Sequence, residues 1–154
     1  MFELTSNEIL FVASALTFQL ILIAHFTLRR WRFELSVRFG WIIYALSIPA
    51  ATVSLYLLSR GEGWYLWLGG FIYLIWAIYG VTVDYMRKIE WRNTRNRPVF
   101  GAYVTLYLVT VMFYWWPLAQ IEKTLWYVGA GLFILSTFLN ITSHRKTNLS
   151  LKES

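Results

Sequence analysis

Asp84 carries the most suggestive chemistry in a chain that is otherwise largely apolar. It closes a run, Gly69, Tyr73, Trp76, Gly80 and Asp84, whose three- and four-residue spacing places all five on one helical face. A carboxylate ending an aromatic face could take a proton or a cation at the mouth of a cleft. The plainer account makes the glycines packing contacts and pairs Asp84 with Arg87 or Lys88, one turn on. That account carries more weight, because ionisable residues become default functional candidates only deeper in a membrane.

Three further polar residues map to the same depth as Asp84: His25, Asn140 and His144, with Ser136 one turn before Asn140. Together His25, Asp84, Asn140 and His144 form a candidate polar cluster. Two histidines on separate helices are the minimum for a bis-histidine haem, and His–Asp groups could hold a metal or a quinone. Haem b in a helical bundle usually sits in the apolar core, however, and His144 is followed at once by Arg145 and Lys146. Interfacial hydrogen bonding is the expected role. Neither a cofactor nor a metal is predicted, with haem or quinone as the alternative.

Tyr103, Tyr107, Thr110 and Tyr114 make a second helical stripe. Its hydroxyls could orient a flat lipophilic ligand, although such stripes more often pack against a neighbouring helix. The candidate ligand-binding set is therefore Tyr73, Trp76, Asp84, Tyr103, Tyr107 and Tyr114.

Other chemistries are set aside on composition. The chain has no cysteine, which removes disulfides and thiolate sites. No lysine falls inside an apolar run, so a Schiff base has no attachment point. HExxH, GxSxG and glycine-rich phosphate loops are absent.

The elements that must position these residues are membrane helices. Of 154 residues, 58% are hydrophobic and only 14% charged, where a soluble domain is about a quarter charged. Five apolar runs reach the roughly twenty residues that cross a bilayer: Ile9–Leu28, Phe39–Leu58, Trp64–Val83, Val99–Trp116 and Thr124–Thr142. They do not alternate as barrel strands would, so an all-α, five-span domain over residues 1–154 is expected. Pro49 should loosen the second span. Ser47, Ala50, Ala51 and Ser54 around it offer a close-approach face. Pro117 should end the fourth span and force a tight hairpin with the fifth.

Charge sets the predicted orientation. Arg29, Arg30, Arg32 and Arg38 lie in the first connection, RRWRFELSVR; Arg87, Lys88, Arg92, Arg95 and Arg97 in the third; Arg145, Lys146 and Lys152 in the tail. Only Arg60 and Lys123 fall on the opposite side. Positive charge marks the cytoplasmic side, so the N-terminus is expected outside and the C-terminus inside. Trp64, Trp67, Trp115, Trp116 and Trp126 then fall at the outer boundary, and Trp31, Trp41 and Trp91 at the inner one, as aromatic belts do. The basic residues suit anionic lipid headgroups rather than nucleic acid. The expected home is a cytoplasmic membrane of bacterial or archaeal type.

Five spans, this length and the high Trp and Tyr content resemble, in architecture only, the tryptophan-rich sensory proteins, also called translocator proteins. That family binds porphyrins and sterols, so the resemblance implies a lipophilic ligand. Where the family places a tryptophan- and proline-rich motif between its first two helices, this sequence has RRWRFELSVR. Minimal loops and the lack of a catalytic constellation favour a non-enzymatic accessory or assembly subunit of a larger membrane complex, or a self-associating protein. A stand-alone binder or carrier of a lipophilic ligand (porphyrin, quinone or sterol) ranks second. A small lipid-modifying enzyme using the level of His25, Asp84 and His144 ranks third.

Overall fold

The computed structural model describes residues 4–87 and 97–150, and side chains as far as 142. The basic stretch from Lys88 to Asn96, with Trp91, lies outside the described residues, as do the side chains of His144, Arg145 and Lys146, and Lys152 altogether. Every regular element is helical: α1 (Ser6–Trp31), α2 (Phe33–Phe39), α3 (Trp41–Ala45), α4 (Ser47–Ser59), α5 (Trp64–Val81), a π-helical turn (Thr82–Met86), α6 (Arg97–Trp115), α7 (Leu118–Ile121) and α8 (Lys123–Ser150). Among the described residues, five stretches are long and apolar enough to cross a membrane: Ser6–Trp31, Phe33–Ser59, Trp64–Met86, Arg97–Ile121 and Lys123–Thr142.

Local signals set the helix ends. Thr5 caps α1 through a reciprocal box: its hydroxyl accepts from the Glu8 amide at 3.2 Å, and the Glu8 carboxylate accepts from the Thr5 amide at 2.8 Å. The expected ten-residue loop RRWRFELSVR is instead helix almost throughout, interrupted only at Arg32 (φ −139°, ψ 69°). The stretch is strongly charged, but it contains no glycine or proline to stop a helix. At the other end of α1, the Asn7 amide donates to Glu62 at 2.6 Å, tying α1 to the turn between α4 and α5.

The second span bends where Pro49 predicts. Pro49 has no N–H to offer the Ala45 carbonyl, and its ring crowds that oxygen; α3 ends at Ala45 and α4 resumes at Ser47. Nearby carbonyls are taken up by side chains. Tyr73 Oη donates to the Ile43 carbonyl and Ser47 Oγ to that of Tyr44 at 2.6 Å, the usual way a proline is accommodated in apolar surroundings.

α5 is the hub, packed against α4 on one side and α6 on the other, while α1 lies chiefly along α8. Ser47, Ala50 and Ser54 are buried at the α4–α5 contact, with Ala51 half-buried. There the backbones approach so closely that a methyl group on Gly70 would stand 2.6 Å from the Ala50 carbonyl oxygen, with Ser54 Oγ closer still.

The last two spans differ from the tight hairpin expected. After Pro117 the chain makes the short helix α7, and α8 then diverges to lie along α1. α6 and α8 meet mainly at their shared end, where Trp115 stacks on Trp126 (centroids 5.2 Å) and on Phe133 (5.9 Å) and donates to the Trp126 carbonyl at 3.1 Å. Arg30 Nη1 donates to Thr142 Oγ1 at 3.0 Å, joining the far ends of α1 and α8. Glu122 caps α8: its carboxylate accepts from the Leu125 amide at 2.9 Å and the Thr124 hydroxyl at 2.8 Å. Those hydrogen bonds, first from Thr124, hold its carboxyl below the ordinary glutamate value.

Gly70→Ala should overpack the α4–α5 contact and cost about 1–3 kcal/mol. Gly131→Ala, which meets nothing within 4 Å, should stabilise α8 by up to about 1 kcal/mol; thermal unfolding in mild detergent reads both. Because the Glu122 pKa is depressed by folding, its cap stabilises fully above the unfolded value of about 4.3 and is lost as pH falls through the lower folded value. The melting-temperature gap between wild type and Glu122→Ala should therefore be largest near neutrality and close as the pH drops below that range.

Candidate functional site

Trp76 stands at the centre of an aromatic cluster drawn from four of the five spans. Its ring centroid lies 5.8 Å from Tyr73, 5.5 Å from Tyr103, 5.6 Å from Tyr107, 6.0 Å from Tyr44 and 6.4 Å from Phe18. Tyr114 joins through Phe18 (5.1 Å) and Tyr73 (6.3 Å). Five members of the expected ligand-binding set (Tyr73, Trp76, Tyr103, Tyr107, Tyr114) thus meet in one place. They meet as packed core: Trp76, Tyr73 and Tyr114 are each 2% exposed. The buried hydroxyls of Tyr107 and Tyr114 have no hydrogen-bond partner among the described residues. The Trp76 indole N–H and the Gln19 amide have no hydrogen-bond partner among the described residues, a cost of about 1–3 kcal/mol each that packing must offset.

Asp84 sits in the π-helical turn, where the Arg87 amide reaches back five residues to the Thr82 carbonyl at 2.9 Å. Such turns insert one residue, re-aim the side chains that follow and recur at functional sites. Asp84 accepts a 2.7 Å hydrogen bond from Tyr44 Oη, and Tyr44 Oη lies 3.1 Å from Tyr103 Oη. With the Tyr44 proton given to Asp84, the Tyr103 hydroxyl donates to Tyr44, so three spans share one directed chain of hydrogen bonds.

Tyr44 reaches across because Gly80 leaves it room. A methyl group at Gly80 would stand 2.7 Å from Tyr44 Cζ. Sequence reasoning missed Tyr44. The available signal was Gly80 itself, a gap in an aromatic face that a bulky ring from another helix could fill.

The remaining polar candidates are His25, Asn140 and His144. His25 is half-buried, with its ring edge-on to Phe26 at 5.6 Å. A methyl group at Gly40 would stand 3.6 Å from His25 Cε1 and 3.9 Å from Tyr85 Oη, so His25 approaches the residue next to Asp84. Asn140 is half-buried on α8. His144 is carried by the same helix, its side chain outside the described residues. Among the described residues no three His, Asp or Glu side chains gather as a metal ion would need.

Two cavities flank the bent second span, one on each side. The first, about 270 Å³, is lined by Ser14, Thr17 and Phe18 of α1, by Pro49 and Ala50, and by Tyr73. The second, about 510 Å³, runs between α3–α4 and α5 with its π-turn. Tyr44, Ser47 and Ala77 form its buried floor; Trp41, Ile48, Ile78, Tyr85 and Met86 are its exposed rim. Trp76, Tyr103, Tyr107 and Tyr114 line neither cavity. No protein-family model, curated protein or solved structure matches the chain.

Tyr44→Phe removes both of its hydrogen bonds and should cost about 2 kcal/mol; Tyr103→Phe, which removes one, should cost about half as much. In a double-mutant cycle Tyr44→Phe and Asp84→Asn should be clearly non-additive, and additive melting shifts would show that the bond carries no energy.

Proposed function

We propose that the chain is an integral membrane protein, N-terminus outside and C-terminus in the cytoplasm, that holds a lipophilic ligand in the lateral groove between its second and third spans. The observation that carries this reading is the groove of about 510 Å³. Its size falls in the range of small-molecule sites, and its walls are apolar and aromatic, as such sites usually are. Its exposed rim opens on the side of the bundle, the direction from which a molecule dissolved in lipid would arrive.

Support for the membrane setting comes from the five apolar helices and from Ile48, Leu55, Ile75, Ile78, Ile134 and Phe138, each more than half exposed; soluble monomers rarely show so much apolar surface. Support for the orientation comes from the charge distribution, with Arg60 and Lys123 alone on the outer side. The pairing of Asn7 with Glu62 at one end and Arg30 with Thr142 at the other agrees with alternating spans.

A second reading, a subunit of a larger membrane complex, is favoured by α8. Only 17% of its apolar stretch is buried, against 44% for the third span. Tyr127, Ile134, Phe138 and Ile141 form an outward stripe that another helix could cover as readily as lipid.

The groove reading is tested by titrating purified protein with a porphyrin, a quinone, a sterol and a long-chain fatty acid while following tryptophan fluorescence, to which Trp41 on the rim contributes. At least one class should bind saturably. Ala45→Phe, which fills the groove, should weaken that binding about tenfold or more, equivalent to about 1.4 kcal/mol. Ala13→Phe, in the other cavity, should leave it unchanged. Silence from all four classes, or indifference to Ala45→Phe, overturns the reading.

A further inference from the structure

The end of the groove that lies toward the π-turn is marked by charge. Trp41 and Met86 both line it there. Arg38 lies one helical turn before Trp41, at the end of α2, and the backbone continues through Gly40 in helical conformation (φ −59°, ψ −26°). Arg87 directly follows Met86, and its amide is bonded to the carbonyl of Thr82, itself a lining residue. Both arginines are exposed, the Arg38 guanidinium lying over the neighbouring Phe39 ring, 5.7 Å from its centroid. Two different spans therefore each carry one arginine within a turn of a residue that lines the same end of one apolar groove.

Two acidic groups stand near this end without lining it: Glu34, one turn before Arg38 on α2, and Asp84 in the π-turn. Asp84 is engaged by Tyr44 on the side of α6, where Tyr103 stands, whereas the groove runs over Thr82, Tyr85 and Met86. The groove is thus apolar along its length, with an exposed arginine flanking one end on each of two spans.

Resting on the groove reading above, we infer that its occupant is a single anionic phospholipid, with one acyl chain along Ile48, Ala77 and Ile78 and its phosphate between Arg38 and Arg87. A lipid held this way uses both halves of the site: the apolar length excludes a free anion such as inorganic phosphate, and the paired guanidiniums favour an anionic head over a zwitterionic one. Arginine suits phosphate because its planar fork donates two parallel hydrogen bonds.

The test is native mass spectrometry of the delipidated protein with phosphatidylglycerol and phosphatidylcholine of identical acyl chains. Phosphatidylglycerol should be retained as a single adduct, about tenfold in preference to phosphatidylcholine, a factor in keeping with two interfacial arginines. Arg38→Gln/Arg87→Gln should abolish the preference while leaving weak binding of both lipids; Ala45→Phe should remove both. Inorganic phosphate should not compete, and competition by it would identify a plain anion site and overturn the inference. Equal retention of the two lipids, both lost in Ala45→Phe, would overturn the anionic head and leave the groove reading standing. Retention of both lipids by Ala45→Phe would overturn the groove itself.

Discussion

The amide that Pro49 lacks shapes more of this molecule than any bond it contains. Without it the second span cannot run as one regular helix, and the break falls at Leu46, between Ala45 and Ser47. Tyr73 and Ser47 then supply hydrogen bonds to the Ile43 and Tyr44 carbonyls. The first binds α5 to α3 and so ties the two spans together just before the proline. The two cavities lie along this stretch, one lined jointly with α1 and the other jointly with α5 and its π-turn.

Packing around that bend follows the rules of an apolar solvent. Where lipid surrounds the helices, burying another leucine yields little, because lipid tails are as apolar as the core. Close backbone approach and hydrogen bonds between helices remain as sources of stability. Gly70 provides the first against Ala50 and Ser54. The Tyr103–Tyr44–Asp84 chain provides the second across three spans. It ends in a π-turn, which places a carboxylate where regular helix would have aimed another side chain.

Much of the helical layout was legible because it depends on long-range composition. Apolar runs mark the spans, Pro49 marks a bend, and Gly69, Tyr73, Trp76 and Gly80 mark a buried face; all four residues of that face are buried. What escaped was pairing. RRWRFELSVR was expected as a loop because charge was used as a proxy for coil, yet nothing in those residues opposes a helix. α8 was expected against α6, its neighbour in sequence, but it lies along α1 after the turn at α7. The aromatic residues chosen as a ligand site are mutually adjacent and packed, and the larger open space lies beside them, along Leu74, Ala77, Ile78 and Val81 of α5. Which face of an aromatic-rich helix is filled and which is vacant depends on its neighbours, and a single sequence does not name them.

The reversal at Arg32 has a mechanical consequence. One residue of chain reaches at most about 3.6 Å, so the end of α1 and the start of α2 have no slack between them. A rotation or axial shift of the first helix must be transmitted directly to the second, and any displacement there is delivered to the weakest point of that lever, the interrupted turn at Leu46. The first two spans therefore behave as a single hairpin-shaped arm, and the stretch of it from Tyr44 to Ala50 contributes walls to both cavities.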